Sequence, residues 1–125
     1  MITSYDFGYC RAEVYNDHVI VYINNGVTVS PENISELNFV TKKHFENKLY
    51  IYITVRVNSY TVDPMIYLES NKIENLLGFA IVSKDSKQIS QVKIEKVFTN
   101  KKIKQFRTLK KALQWKDKII KKHVS

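Results

Sequence analysis

The chain has one cysteine, two prolines, three glycines and one tryptophan in 125 residues, and each scarcity closes off a class of protein. A single thiol, Cys10, makes no internal disulfide, and with three scattered histidines it gives no zinc-ligand spacing. Three glycines, Gly8, Gly26 and Gly78, make no phosphate-cradling loop. No apolar run approaches the roughly 20 residues of a membrane helix, and the opening MITSYDFGYC has neither the basic nor the apolar region of a secretory leader. No linker, repeat or low-complexity segment interrupts the chain. These absences lead to the expectation of one cytoplasmic domain over residues 1–125, a monomer or homodimer, with no membrane span, cofactor or metal.

What is present is a nearly average globular composition, 44% hydrophobic and 26% charged, with its charge unevenly placed. Residues 1–83 hold six Lys/Arg against nine Asp/Glu, whereas residues 84–125 hold fourteen against three. The basic third is either a solvated lysine-rich face or a surface for an anionic partner. Lys110, Lys111, Lys118, Lys121 and Lys122 are its candidate residues. Without interleaved aromatics or a recognised motif, nucleic acid or anionic lipid would be held weakly and in a salt-sensitive way.

The stretch LYIYITVRVNSYTVDP, 49–64, organises the fold. Leu49, Ile51, Ile53 and Val55 hold one parity and Tyr50, Tyr52 and Thr54 the other, so both faces can be covered up to Arg56, which describes a central strand. Before it, Tyr9 to Tyr15 and His18 to Ile23 read as an antiparallel hairpin around Asn16-Asp17, residue types that tolerate positive φ. Ser30-Pro31 starts a helix whose Ile34, Leu37, Val40, Thr41, His44 and Phe45 form an inward stripe. Asp63-Pro64 starts a short helix to about Ser70. Leu76 to Ser83 is a buried strand in which Gly78 marks close packing or a bulge. Ser83 or Asp85 caps a third helix with Ile89, Val92, Val97 and Phe98 inward. Lys104 to Arg107 forms a short edge strand, and Thr108 caps a last helix with Leu109, Ala112, Leu113, Ile119 and Ile120 inward. The order β-β-α-β-α-β-α-β-α predicts an α/β fold, a single mixed sheet of about five strands with about four helices.

Catalytic arrays are hard to assemble from these residues. Cys10 and His18 stand on opposite hairpin arms, but Cys10 shares parity with Ala12 and Val14 and reads as buried. Asp63 is accounted for as a cap, and Glu69 and Glu74 have no third group to fix a geometry. The chain is therefore read as non-enzymatic. In open α/β sheets ligands gather beyond the carboxyl ends of the strands, here Arg56, Asn58, Ser59, Tyr60, Thr61, Asp63 and Tyr67, beside Ser83. The tyrosines Tyr50, Tyr52, Tyr60 and Tyr67 either wall a ligand site or bury apolar area.

The element order, with YITVRVNSYTVDPMIY, ENLLGFAIVS and FRTLKKALQW, resembles the STAS/SpoIIAA-like group of small α/β proteins, and most of all the standalone STAS/SEC14-like proteins of bacteria. DP-x-x-Y at Asp63 to Tyr67 and A-x-x-W at Ala112 to Trp115 carry the likeness. The resemblance implies a non-catalytic regulatory or ligand-binding module that takes a protein partner or a small lipophilic ligand. In the anti-sigma-factor antagonists of that group a Ser or Thr after the central strand is phosphorylated. The matching residues here are Ser59 and Thr61, in a loop with Pro64 where those relatives have glycine.

Overall fold

The computed structural model describes residues 1–24, 26–56, 61–85 and 87–124. Val57, Asn58, Ser59 and Tyr60, which follow the central strand in sequence, lie outside the described residues, as do the side chains of Ile34, Thr61 and Ile89. The elements are β1 (Thr3–Asp6), β2 (Cys10–Val14), β3 (His18–Ile23), β4 (Thr28–Val29), α1 (Pro31–Phe45), β5 (Tyr50–Val55), β6 (Thr61–Val62), α2 (Ile66–Ser70), β7 (Leu76–Val82), α3 (Lys87–Phe98), β8 (Lys102–Phe106) and α4 (Leu109–Val124). Among the described residues six strands form one mixed sheet in the order β1-β2-β3-β5-β7-β8, and β4 pairs with β6 separately. The first three strands are antiparallel and the rest parallel.

The layering follows from that order. From β3 to β5, β7 and β8 the chain steps across the sheet in one direction, and crossovers of one hand stepping one way must put their helices on one face. Leu37, Val40 and Phe45 of α1, Ile66 and Tyr67 of α2, and Val92 of α3 accordingly share a core with Tyr50, Phe79 and Ile81. The last helix is no crossover and is free to cover the other face. Ala112 and Ile119 of α4 pack there on Ile20, Ile51, Ile53, Ala80 and Val82. The central strand is thus covered on both sides, as its two apolar parities require.

Several local expectations hold, with instructive differences. The hairpin forms in the register Val14 to Val19 and Cys10 to Ile23, closed by the Tyr15 N–H donating to the His18 carbonyl at 2.9 Å. Positive φ among the described residues occurs only at Gly8 and Gly26, so Asn16 and Asp17 turn without using that freedom. Asp63 accepts the Met65 N–H at 3.0 Å, but the α-helix proper begins at Ile66 after a tight turn in which the Ile66 N–H donates to the Asp63 carbonyl at 3.1 Å. Thr108 caps α4 through the Lys111 N–H at 3.2 Å. Ser83 does not cap α3; its Oγ accepts the Asp85 N–H at 3.1 Å, and the helix starts at Lys87.

Two corrections follow, one to a helix face and one to the sheet. Val97 is 81% exposed, because the inner face of α3 runs through Val92 and Glu95, and Val97 stands two positions off that line. The sheet also gains β1 at its edge, whose polar TSYD carries no apolar alternation of its own. Its pairing is set by the turn at Gly8, whose φ of 85° only glycine adopts without strain and whose N–H bonds Asp6 at 2.8 Å.

Gly78 combines both features expected of it. Tyr50 pairs with Leu76 and Ile51 with Gly78, so Leu77 is the extra residue of a bulge. A Cβ on Gly78 would lie 2.7 Å from the Lys102 carbonyl oxygen and 3.3 Å from the Trp115 ring. Gly78→Ala is expected to destabilise the protein by about 1–3 kcal/mol through overpacking, read as a lower urea midpoint at unchanged slope; an unaltered midpoint would mean that the strand and Trp115 yield freely.

Candidate functional site

The alternation of β5 points Tyr50, Tyr52, Thr54 and then Arg56 toward the three-helix face. Opposite them, α3 presents Glu95 three residues after Val92, on the same helical stripe. The Arg56 guanidinium meets the Glu95 carboxylate in two bonds, Nη1 to Oε2 at 2.8 Å and Nη2 to Oε1 at 2.5 Å, and the Tyr67 hydroxyl from α2 donates to Oε1 at 2.5 Å. Arg56 is 3% exposed and Glu95 is fully buried. Such a pair survives burial only when geometry and added hydrogen bonds offset desolvation, and here the fork of one group matches the other.

Arg56 stands between two spaces. On its helix side lies a cavity of about 40 Å³, lined by Tyr52, Thr54, Tyr67 and Phe79 among others, room for roughly two or three waters. Beyond the strand ends lies a crevice of about 440 Å³, within the size range of small-molecule sites. Val55, Val82 and Leu109 give it an apolar floor, and Ser83, Lys84 and Arg107 stand around it. The ladder is kept in register up to its edge: the Arg56 N–H donates to the Val82 carbonyl at 2.8 Å and the Ser83 N–H to the Phe106 carbonyl at 2.9 Å.

The chain aligns with the crystal structure of an uncharacterised protein of the DUF3478 family with a SpoIIAA-like fold from Shewanella loihica PV-4, at a TM-score of 0.61 over 86% of this chain and 91% of that one. The fold is SpoIIAA-like. Sequence identity across the alignment is 13%, so the likeness is one of architecture. No family model matches the sequence, and no curated protein matches it. Among the described residues no helix is long and apolar enough to cross a membrane.

Within this SpoIIAA-like frame the candidate residues separate. Arg56 and Ser83 come together at the crevice, Tyr67 is buried against Glu95, and Asp63 sits in the turn before α2. Thr61 lies in β6 beside Thr28; Asn58, Ser59 and Tyr60 lie outside the described residues. Lys110, Lys111, Lys118, Lys121 and Lys122 are all exposed on α4. Tyr50, Tyr52 and Tyr67 border the small cavity. Cys10 is 2% exposed, and burial pushes its thiol up to about 11, far from a reactive thiolate. Its register partner is Ile23, five residues along β3 from His18, which puts the two about 17 Å apart.

Two charged residues of the interior, Glu95 and Lys116, do not stand out in the sequence as candidates. Each nevertheless sits inside an apolar stripe: Glu95 midway between Val92 and Phe98, Lys116 between Ala112 and Ile119. That position is the signal that could have found them. Lys116, 7% exposed, reaches both Asp17 oxygens at 3.2 Å and Asp117 at 2.6 Å. Asp17 also bonds the His18 Nδ1 at 2.7 Å, and His18 stacks on Tyr15 with ring centres 4.5 Å apart.

Removing one partner of the buried pair strands the other. Glu95→Gln is expected to lower stability by about 3–5 kcal/mol, whereas the triple change Arg56→Met, Glu95→Leu and Tyr67→Phe should cost much less than its single changes together, measured by urea unfolding. Additive losses would show that the three groups do not act as a unit.

The second cluster predicts a pH dependence. Burial holds the His18 ring below its usual range, against the opposing pull of Asp17. Burial pushes Asp17 up, but its bonds from His18 and Lys116 outweigh that and hold the carboxyl low. For His18 the unfolded chain takes up a proton near about 6.5 while the folded chain resists it, so the stability present above that pH is lost as the pH falls through it. Asp17 adds a loss in the same direction below the ordinary aspartate range. The melting temperature is expected to drop between pH 7.5 and 5.5, with a shallower slope in His18→Gln; equal slopes would remove His18 as the source.

Proposed function

We propose that the protein is a non-catalytic ligand-binding or regulatory module that works through the crevice at the carboxyl ends of β5, β7 and β8 and the 56–67 segment leaving β5. One observation carries this reading: the crevice of about 440 Å³ opens where the parallel strands end, the place where open α/β sheets bind. The inner cavity of about 40 Å³ is far below the roughly 300 Å³ at which ligand sites begin, so a small lipophilic body would rest on the Val55, Val82 and Leu109 floor of the crevice. The buried, protonated Cys10 and the structural use of Arg56, Glu95 and Asp17 favour binding over catalysis.

A second reading draws on the exposed lysines of α4. There the basic third would hold nucleic acid or anionic lipid headgroups, with an affinity that falls steeply with salt.

Amide-resolved NMR during titration with a chemically diverse fragment set separates the two. Crevice binding is expected to move the amides of Val82 to Asp85 and Arg107 to Leu109 at both low and high salt. Response only to polyanions, erased by salt and by Lys110→Gln, Lys111→Gln, Lys118→Gln, Lys121→Gln and Lys122→Gln together, would replace the first reading with the second.

A further inference from the structure

The chemistry around the crevice selects among ligands, on the footing that the crevice is the working surface proposed above. Lys84 leaves the end of β7 and Arg107 the end of β8; both are exposed at the rim, and neither forms an ion pair among the described residues. Asp85 is the one carboxylate among the described lining residues, so the lining cations outnumber it even with Arg56 neutralised by Glu95. At the base Ser83 is 3% exposed. Its hydroxyl oxygen accepts the Asp85 N–H at 3.1 Å, which leaves the hydroxyl proton to give. Thr108 and Leu109, which open the 16-residue helix α4, complete the wall. There the Lys111 N–H is taken by Thr108 Oγ1 and the Ala112 N–H by the Thr108 carbonyl, while the Leu109 and Lys110 N–H groups have no carbonyl behind them within the helix. Two exposed cations, a buried hydroxyl donor and the positive end of a helix thus converge over an apolar floor.

We propose that the crevice binds a small organic oxyanion, a phosphoryl or carboxylate group on a compact apolar body, with Lys84, Arg107 and Ser83 holding the anionic end and Val55, Val82 and Leu109 the apolar one. The apolar body distinguishes this ligand from a free inorganic ion. The lining cations oppose a divalent metal.

The test is an amide-resolved NMR titration at constant ionic strength with phenyl phosphate, benzoate, inorganic phosphate, dihexanoyl phosphatidic acid and neutral benzyl alcohol. Phenyl phosphate or benzoate should move the Val82 to Asp85 and Leu109 to Lys110 amides and bind at least tenfold more tightly than benzyl alcohol. Lys84→Gln with Arg107→Gln, both exposed sites, should remove at least tenfold of that affinity at unchanged melting temperature, and Arg107→Glu alone should do so independently. Preference for phenyl phosphate over the phosphatidic acid assigns a soluble ester, and the reverse order a lipid headgroup; either supports the site. Phenyl phosphate and benzoate binding no more tightly than benzyl alcohol, or equally well to wild type and double variant, overturns the oxyanion while leaving the crevice as a binding surface. No shift at the crevice from any probe overturns both. An equal loss in Lys118→Gln with Lys121→Gln overturns it as well, because the attraction would then belong to the basic surface at large.

Discussion

The Arg56–Glu95 pair is the constraint on which the rest of the arrangement depends. A guanidinium at the carboxyl end of the central strand, covered by three helices, has to be met by a carboxylate with matching geometry, because one left alone costs several kcal/mol. That requirement fixes the rotation of α3, since Glu95 must face the sheet, and it draws in α2 through the Tyr67 hydroxyl. Three elements far apart in sequence are thereby locked to one point. The same point separates the small inner cavity from the open crevice.

The backbone architecture was legible in the sequence wherever one physical signal dominated. The paired apolar parities of Tyr50–Val55 and the continuous apolar character of Leu76–Val82 can only be satisfied by burial on both faces, and the Ser30-Pro31 and Thr108 starts rest on local backbone chemistry. Gly78 was legible for the same reason, as a lone glycine in a strand marks something close by. Less was legible where the deciding partner is distant. Glu95 and Lys116 look like surface charges until the residues that neutralise them, Arg56 and Asp17, are brought beside them. Polar β1 and the two-residue β4 and β6 carry no pattern, and Val97 misled because an apolar residue on a helix need not lie on its inner line. Of the candidate site, the strand ends are readable from topology, whereas the placement of Lys84 and Arg107 at the crevice depends on where β7 and β8 stop.

The interior pairings also bear on the charge asymmetry. Of the three carboxylates after residue 83, Glu95 is consumed by a cation from the earlier part of the chain and Asp117 by Lys116. Lys116 in turn is satisfied by Asp17. The basic third thus loses one acid, Glu95, and one base, Lys116, to partners from the earlier part of the chain, so its positive excess is carried almost undiminished by its surface, with Asp117 70% exposed among the lysines of α4. Attraction of this kind speeds encounter with anionic molecules and is screened over about 8–10 Å at physiological salt.

The division of helices, three on one face and one on the other, has a consequence for how the chain acquires its structure. Every strand of the main sheet precedes α4 in sequence, so the sheet can pair before the helix that shields Ile51, Ile53, Ala80 and Val82 has docked. For that interval the chain holds a half-finished sandwich with an oily side open to water, the kind of surface chaperones recognise. The lysines that follow arrive with the covering helix itself, so the element that closes the core is also the one that keeps the finished molecule dispersed.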